Sequence, residues 1–190
     1  MAIKEKITGI ILAGGKSSRM GFDKGLIEIN NKPMVQYIID QLKLITDTIL
    51  IISNNNEYNK FGHTVHADLI KNVGPIGGIL TGLEYSQTKY NMVISCDTPF
   101  IKKNTLTELV KKIDKYDVII ASNKGEAHPL CGIYSKTIAN QLRVLIENRQ
   151  FKIRKAIQQF NTKVVEFETT SQFVNINTKE ELNNYKHNYQ

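Results

Sequence analysis

The chain has 190 residues, and at roughly 150 residues per domain this length predicts one compact domain that buries enough surface to fold without a disulfide or metal staple. Hydrophobic residues make up 41% and charged residues 23%, which excludes disordered, collagen-like and low-complexity classes. Twenty-five Lys and Arg against 18 Asp and Glu leave a net charge of +7, compatible with nucleic acid, an anionic membrane surface or a polyanionic small molecule; composition alone does not choose.

In chain order, the first apolar run, 7–13, reads as a strand rich in Ile and Leu. It is too short for a signal peptide or a membrane span, which predicts a cytoplasmic protein without membrane association. The segment LAGGKSSRMGFDKG follows at 12–25. It carries Gly14, Gly15, Gly21 and Gly25 with Lys16, Arg19, Lys24 and two serines. Glycines let successive backbone N–H groups converge on phosphate oxygens, and the cations neutralise the remaining charge. Neither GxxxxGK[ST] nor GxGxxG is present.

Pro33 sits where a helix can begin, and Met34, Val35, Ile38, Ile39, Leu42 and Ile45 then form one apolar face. A strand at 48–53 leads into Asn54, Asn55 and Asn56, amides able to read a base edge but also common turn residues. The loop DLIKNVGPIGG, 68–78, opens a helix on Gly77 and Gly78, where little side-chain bulk would let a ligand approach; a plain turn and helix start explains it equally well. A strand at 91–95 ends in SCDTPF, 95–100. Its Asp97 is either a carboxylate for Mg²⁺ beside a triphosphate or a cap for the turn before Pro99. Further helical faces run 106–113 and 138–146, with strands at 117–121 and 163–167.

Apolar strands alternating with helices imply a single-domain α/β fold, a Rossmann-like three-layer α/β/α sandwich with a mainly parallel sheet. Ligands in such sheets sit beyond the carboxyl ends of the strands. Cys96 and Cys131 read as reduced, buried small hydrophobes, the four histidines have no metal-ligand spacing, and neither a Ser-His-Asp order nor a GxSxG elbow is present.

LAGGKSSRMGFDKGL at 12–26 and NKPM at 31–34 resemble the nucleotidyltransferase signature. With GPIGG at 74–78, CDTPF at 96–100 and VNINTKEEL at 174–182, the chain resembles the molybdenum cofactor guanylyltransferases, the MobA family, over nearly its whole length. The resemblance implies a nucleotide-diphospho-sugar transferase type of fold and transfer of GMP from GTP to molybdopterin-bound molybdenum, with Mg²⁺ and release of pyrophosphate. It implies GTP contacts from Leu12, Ala13, Gly14, Gly15, Lys24, Asn55, Asp68 and Asp97, with the register among Asn54 to Asn56 open, and metal binding by Asp97. Arg19, assigned from its charge and loop position, joins Lys24 and Asp97 as catalytic. Asn175, Asn177 and the basic stretch 149–155 are expected at the pterin substrate; in that stretch Asn148 stands where the family tends to place glycine. Residues 1–100 would then be mainly the GTP and Mg²⁺ half and 101–190 mainly the pterin half. Other cofactor-biosynthesis or acceptor proteins are conceivable partners; nucleic acid is not, since no recognisable binding motif accompanies the charge. A cytidylyltransferase for the same pterin, a sugar-phosphate nucleotidyltransferase and a non-catalytic GTP-binding adaptor are the competing readings.

Overall fold

The computed structural model describes residues 7–14, 23–176 and 181. Strands β1 (Ile7–Leu12), β4 (Thr48–Ile52), β5 (Thr64–His66), β6 (Tyr90–Ser95), β7 (Val118–Asn123), β8 (Glu126–Ser135) and β9 (Thr162–Phe167) form one seven-stranded sheet in the order β5-β4-β1-β6-β8-β7-β9. Two short strands, β2 (Glu28–Ile29) and β3 (Lys32–Pro33), pair antiparallel outside it. The helices are α1 (Met34–Leu42), α2 (Pro75–Tyr85), α3 (Lys103–Val110), α4 (Ala139–Glu147) and the short α5 (Ile153–Ala156).

Alternation along β1 divides the core into two layers. Ile7 and Ile11 face one cluster with Val35, Ile38 and Leu42 of α1 and Leu106 and Leu109 of α3. Ile10 and Leu12 face the other, with Ile76, Ile79 and Leu83 of α2 and Leu142 and Leu145 of α4. The period of two along the strand thus places helices on both faces, and each fully buried aliphatic side chain stabilises the fold by roughly 1.5–3 kcal/mol before the ordering cost. Gly82 permits the closest approach: a Cβ there would lie 2.6 Å from Cγ2 and 2.7 Å from Cδ1 of Ile10, so α2 presses on β1 only because that side chain is missing.

All five strands read from the sequence are present, with ends shifted by no more than two residues. The apolar face starting at Met34 is helical to Leu42, and Ile45 is buried just after the helix. The ten-residue β8 went unread because EAHPLCGIYS carries Pro129 and Gly132 inside the run. β8 is antiparallel to both neighbours. It accommodates the proline through a bulge: pairing with β7 jumps from Ile120↔Gly132 to Ala121↔His128, so Pro129 sits where β7 demands no donor. The sheet is mainly parallel through β5, β4, β1 and β6, and again between β7 and β9.

Successive crossovers leave β1 toward β4 and later return to β6 on the other side of β1. That reversal opens a crevice beyond the carboxyl ends of β1 and β6, where sheets of this kind bind ligands. Among the described residues, no helix is long and apolar enough to cross a membrane.

Candidate active site at the carboxyl ends of β1 and β6

The strand ends at the crevice are locked flush. The Ala13 N–H donates to the Ile52 carbonyl (2.9 Å) and the Cys96 N–H to the Leu12 carbonyl (3.0 Å), continuing the ladder past β1 on both sides. Leu12 and Ala13 are buried, whereas Gly14 is exposed and a Cβ there would meet none of the described residues within 4 Å. Gly15 and Arg19 lie outside the described residues.

The chain returns at Asp23, which precedes a short helical turn, Lys24–Leu26. One carboxylate oxygen of Asp23 accepts from the Gly25 N–H (3.2 Å) and from the Tyr58 hydroxyl; the other accepts from Asn55 Nδ2 (3.2 Å). Gly25 packs directly on this group, because a Cβ at that position would collide with the Tyr58 hydroxyl and lie 3.2 Å from Cβ of Cys96. Tyr58 is fully buried, and burial is the main cause holding its phenol protonated, with the charges around it adding to the effect.

Asp97 projects from the turn that ends β6. The Thr98 hydroxyl and N–H both reach the Ser95 carbonyl, at 2.9 and 3.3 Å, so Thr98 rather than Asp97 closes that turn. Burial drives the Cys96 thiol far above its usual range; the Asp97 and Asp23 charges raise it further, and Lys24 opposes them. A Cβ on Gly25 would lie 3.2 Å from Cβ of Cys96, so the segment carrying Asp23 and Lys24 packs against the residue next to Asp97, 73 positions beyond Lys24 in sequence.

Beyond β4, Asn54 and Asp68 pair: Asn54 Nδ2 donates to Asp68 Oδ2 (2.8 Å) and the Asp68 N–H donates to Asn54 Oδ1 (3.3 Å). Oδ1 of Asp68 lies 3.6 Å from the position of a Cβ on Gly78, a position that also touches Leu12. Asp68, Gly78 and Leu12 thus form one wall. Of the three asparagines, Asn54 joins Asp68 in this wall. Asn55 is held between Asp23 and the Glu57 N–H, which donates to its Oδ1 (3.0 Å). Helix α2 begins at Pro75 after Gly74, whose φ of +75° suits glycine.

Burial raises the Asp68 carboxyl above its usual pKa, only partly opposed by the Asn54 hydrogen bond. A carboxyl whose folded pKa exceeds its unfolded value costs stability once pH passes the unfolded value. Asp68→Asn, which keeps the Asn54 contact, is therefore expected to raise the unfolding midpoint at pH 7. The gain should shrink toward pH 3, where the wild-type carboxyl is protonated; thermal melts at the two pH values check this.

The segment 171–176 closes the far side. Gln172 Oε1 accepts from the Lys102 N–H (3.1 Å) and the Thr105 hydroxyl (2.8 Å), Phe173 stacks on His128 at 4.7 Å, and the Ile176 N–H donates to the Asp97 carbonyl (2.9 Å). Exposed Asn175 is therefore carried next to the Asp97 turn, while Asn177 lies outside the described residues. The basic stretch is less concentrated. Arg154 pairs with Glu126 (2.9 Å), and Arg149, at φ +58°, takes the left-handed position that ends α4, where Arg149 and Gln150 N–H groups bond the Ile146 and Leu145 carbonyls. The conformation for which glycine is suited thus falls on Arg149, one position after Asn148.

Sequence reasoning passed over Asp23 and Tyr58 as site-forming groups, and among the three open asparagines it chose Asn55 where the structure pairs Asn54 with Asp68. Asp23 was visible only as part of a DK pair, and Tyr58 stood in a polar run, NNNEYNK, that reads as loop.

No three His, Cys, Asp or Glu side chains cluster as a metal cage among the described residues. A hard divalent cation that keeps its waters and takes substrate phosphates needs only one or two carboxylates. Asp97 supplies such an oxygen donor, and the protonated, buried Cys96 beneath it offers no thiolate to a softer metal, so the donor set fits Mg²⁺.

The family described as the MobA-like NTP transferase domain matches residues 9–164. A probable molybdenum cofactor guanylyltransferase of Flavobacterium johnsoniae is 36% identical over 182 residues, covering 94% of this chain and 96% of the relative. The molybdenum cofactor guanylyltransferase of Vibrio parahaemolyticus is 37% identical over 179 residues, 91% of each chain. Among solved structures, the molybdopterin-guanine dinucleotide biosynthesis protein A of Archaeoglobus fulgidus superposes with a TM-score of 0.78 at 21% identity, covering 95% of this chain and 97% of that one.

Proposed function

The chain belongs to the MobA-like NTP transferase family, and from that membership we propose that it transfers GMP from GTP to molybdopterin-bound molybdenum, forming the guanine dinucleotide cofactor and pyrophosphate. The observation that carries the reading is the convergence of the Lys24 segment and Asp97 at the carboxyl ends of β1 and β6, beside a wall of Leu12, Gly78 and Asp68.

The chemistry is an in-line displacement. A terminal phosphate oxygen of the pterin attacks the α-phosphorus of GTP, the new P–O bond forms as the bond to the β-phosphate oxygen breaks, and pyrophosphate carries away the electron pair. No covalent enzyme intermediate is needed, so the protein positions two anions and offsets their repulsion. Backbone at Leu12, Ala13, Gly14 and Gly15 cradles the nucleotide, with Asn55 behind it. Asp68, held by Asn54, offers acceptor oxygens suited to the N–H edge of guanine. Lys24 and Arg19 bind the phosphates and stabilise the departing pyrophosphate. Asp97 holds the divalent metal, for which Mg²⁺ is the best chemical match, and when bound such an ion neutralises phosphate charge. Asn175, Asn177 and cations of 149–155 hold the pterin across the crevice, so residues 1–100 serve mainly the nucleotide and 101–190 mainly the pterin. Both substrates are small cytoplasmic anions, which accounts for the basic balance without nucleic acid or a membrane. Proteins that deliver or receive the cofactor are its natural macromolecular partners.

The test is incubation with each of the four nucleoside triphosphates, Mg²⁺ and molybdenum-loaded molybdopterin, scoring pyrophosphate. Release with GTP alone is the expected result. Release with CTP alone would make the chain a cytidylyltransferase, and GTP binding without release would make it an adaptor.

A further inference from the structure

We infer that Asp23 is a positioning residue that holds Lys24 in place for the nucleotide through a hydrogen-bonded link to the loop after β4. The inference rests on the proposed transfer reaction and adds to it a residue that neither binds substrate nor takes the metal.

Asp23 lies on the segment that packs against Cys96, the neighbour of Asp97, since a Cβ on Gly25 would lie 3.2 Å from Cβ of Cys96. A second carboxylate near an incoming triphosphate opposes binding electrostatically unless it does something else. It is also a poor second metal ligand, since both oxygens are already engaged by three donors: the Gly25 N–H, the Tyr58 hydroxyl and Asn55 Nδ2. Those donors come from two places. Gly25 lies one residue past Lys24, whereas Tyr58 and Asn55 belong to the turn beyond β4, and the Asn55 Oδ1 is fixed by the Glu57 N–H. The Tyr58 ring is fully buried, so its hydroxyl is a fixed point set by the core. Gly25 completes the fit, because the Tyr58 hydroxyl fills the space a Cβ would need. The result is a Lys24 backbone clamped between two hydrogen-bonded neighbours before any ligand arrives, which lowers the ordering cost of phosphate binding.

Asparagine is a near-isosteric replacement that cannot satisfy all three donors. With its oxygen toward Gly25 and Tyr58, its NH₂ would face the NH₂ of Asn55, and flipping Asn55 would strip the Glu57 N–H of its acceptor. Asp23→Asn is therefore expected to lower kcat/KM for GTP by about tenfold or more. Tyr58→Phe keeps the buried ring and loses one donor, so a smaller fall in the same direction is expected with an unchanged circular-dichroism spectrum. The deciding measurement is a double-mutant cycle with Lys24→Ala. If Asp23 acts through Lys24, the Asp23→Asn, Lys24→Ala double variant falls no further than Lys24→Ala alone. A double variant that loses the product of the two single effects overturns the inference, as does wild-type kcat/KM in both Asp23→Asn and Tyr58→Phe. Wild-type chain inert with GTP but active with another nucleoside triphosphate would overturn the guanylyl assignment instead, and the same cycle run with that nucleotide would still decide the role of Asp23.

Discussion

Replacing Asp97 by asparagine is expected to abolish turnover, lowering kcat by about 10²–10³ or more while the fold stays intact. The size follows from the chemistry: two anions must approach each other, and the amide loses both the negative charge that holds a divalent cation and half of its oxygen donors. The intact fold follows from the structure. The turn is closed by Thr98 on the Ser95 carbonyl, and what Asp97 gives the 171–176 segment is its backbone carbonyl, bonded by the Ile176 N–H. Neither contact uses the carboxylate. Pyrophosphate release and a thermal melt, run side by side, separate the two effects; full activity in the variant would remove the metal role. If Asp97 holds the metal as proposed, raising Mg²⁺ should restore little activity in this variant.

Ile10→Ala is expected to cost about 2–5 kcal/mol, which for a chain of this size lowers the midpoint by roughly 2–4 °C per kcal/mol. Ile10 is fully buried and fills the notch left by Gly82, with two of its carbons closer to that glycine than a Cβ would tolerate. Removing it leaves a cavity between β1 and α2 that the backbone cannot collapse into, since β1 is held by β4 and β6 on either side. Adding Gly82→Ala to that variant should recover part of the loss. The new methyl occupies vacated space, and alanine in a helix interior is favoured over glycine by about 1 kcal/mol. Gly82→Ala alone meets Ile10 at 2.6 Å and should destabilise, so the two substitutions are coupled with opposite signs. Denaturant melts of the two single variants and the double decide this, and strict additivity would contradict the packing described.

Much of the fold was legible because both of its periods were clean. Five apolar strands and the amphipathic faces between them announced a layered α/β sheet, and the position of the glycine-rich segment after the first strand already located the crevice. The antiparallel strand β8 was not legible. A proline and a glycine inside a strand carry the same local signal as a loop, and only the bulge against β7 makes the proline harmless there. At the site, Lys24 stood out in the glycine-rich loop and Asp97 at the end of an apolar strand, each with a chemical reason to be there, whereas Asp68 was marked only by the family resemblance. Asn54 and Asn55 could not be told apart, since three consecutive amides offer the same groups. Their roles divide only when one meets Asp68 and the other meets Asp23.

The sequence by itself determined the fold class, the family and the types of group available to a triphosphate and a divalent cation, because those follow from periodicity and from local motifs read in order. Tertiary structure decided which of these groups work together. Asp23 and Tyr58 are 35 positions apart, and Gly25 packs within reach of Cys96, 71 positions further on. Hydrogen-bond partners and electrostatic neighbours across such separations depend on strand order and on where a missing Cβ lets two elements touch. Neither property is written in any stretch of the chain shorter than the fold.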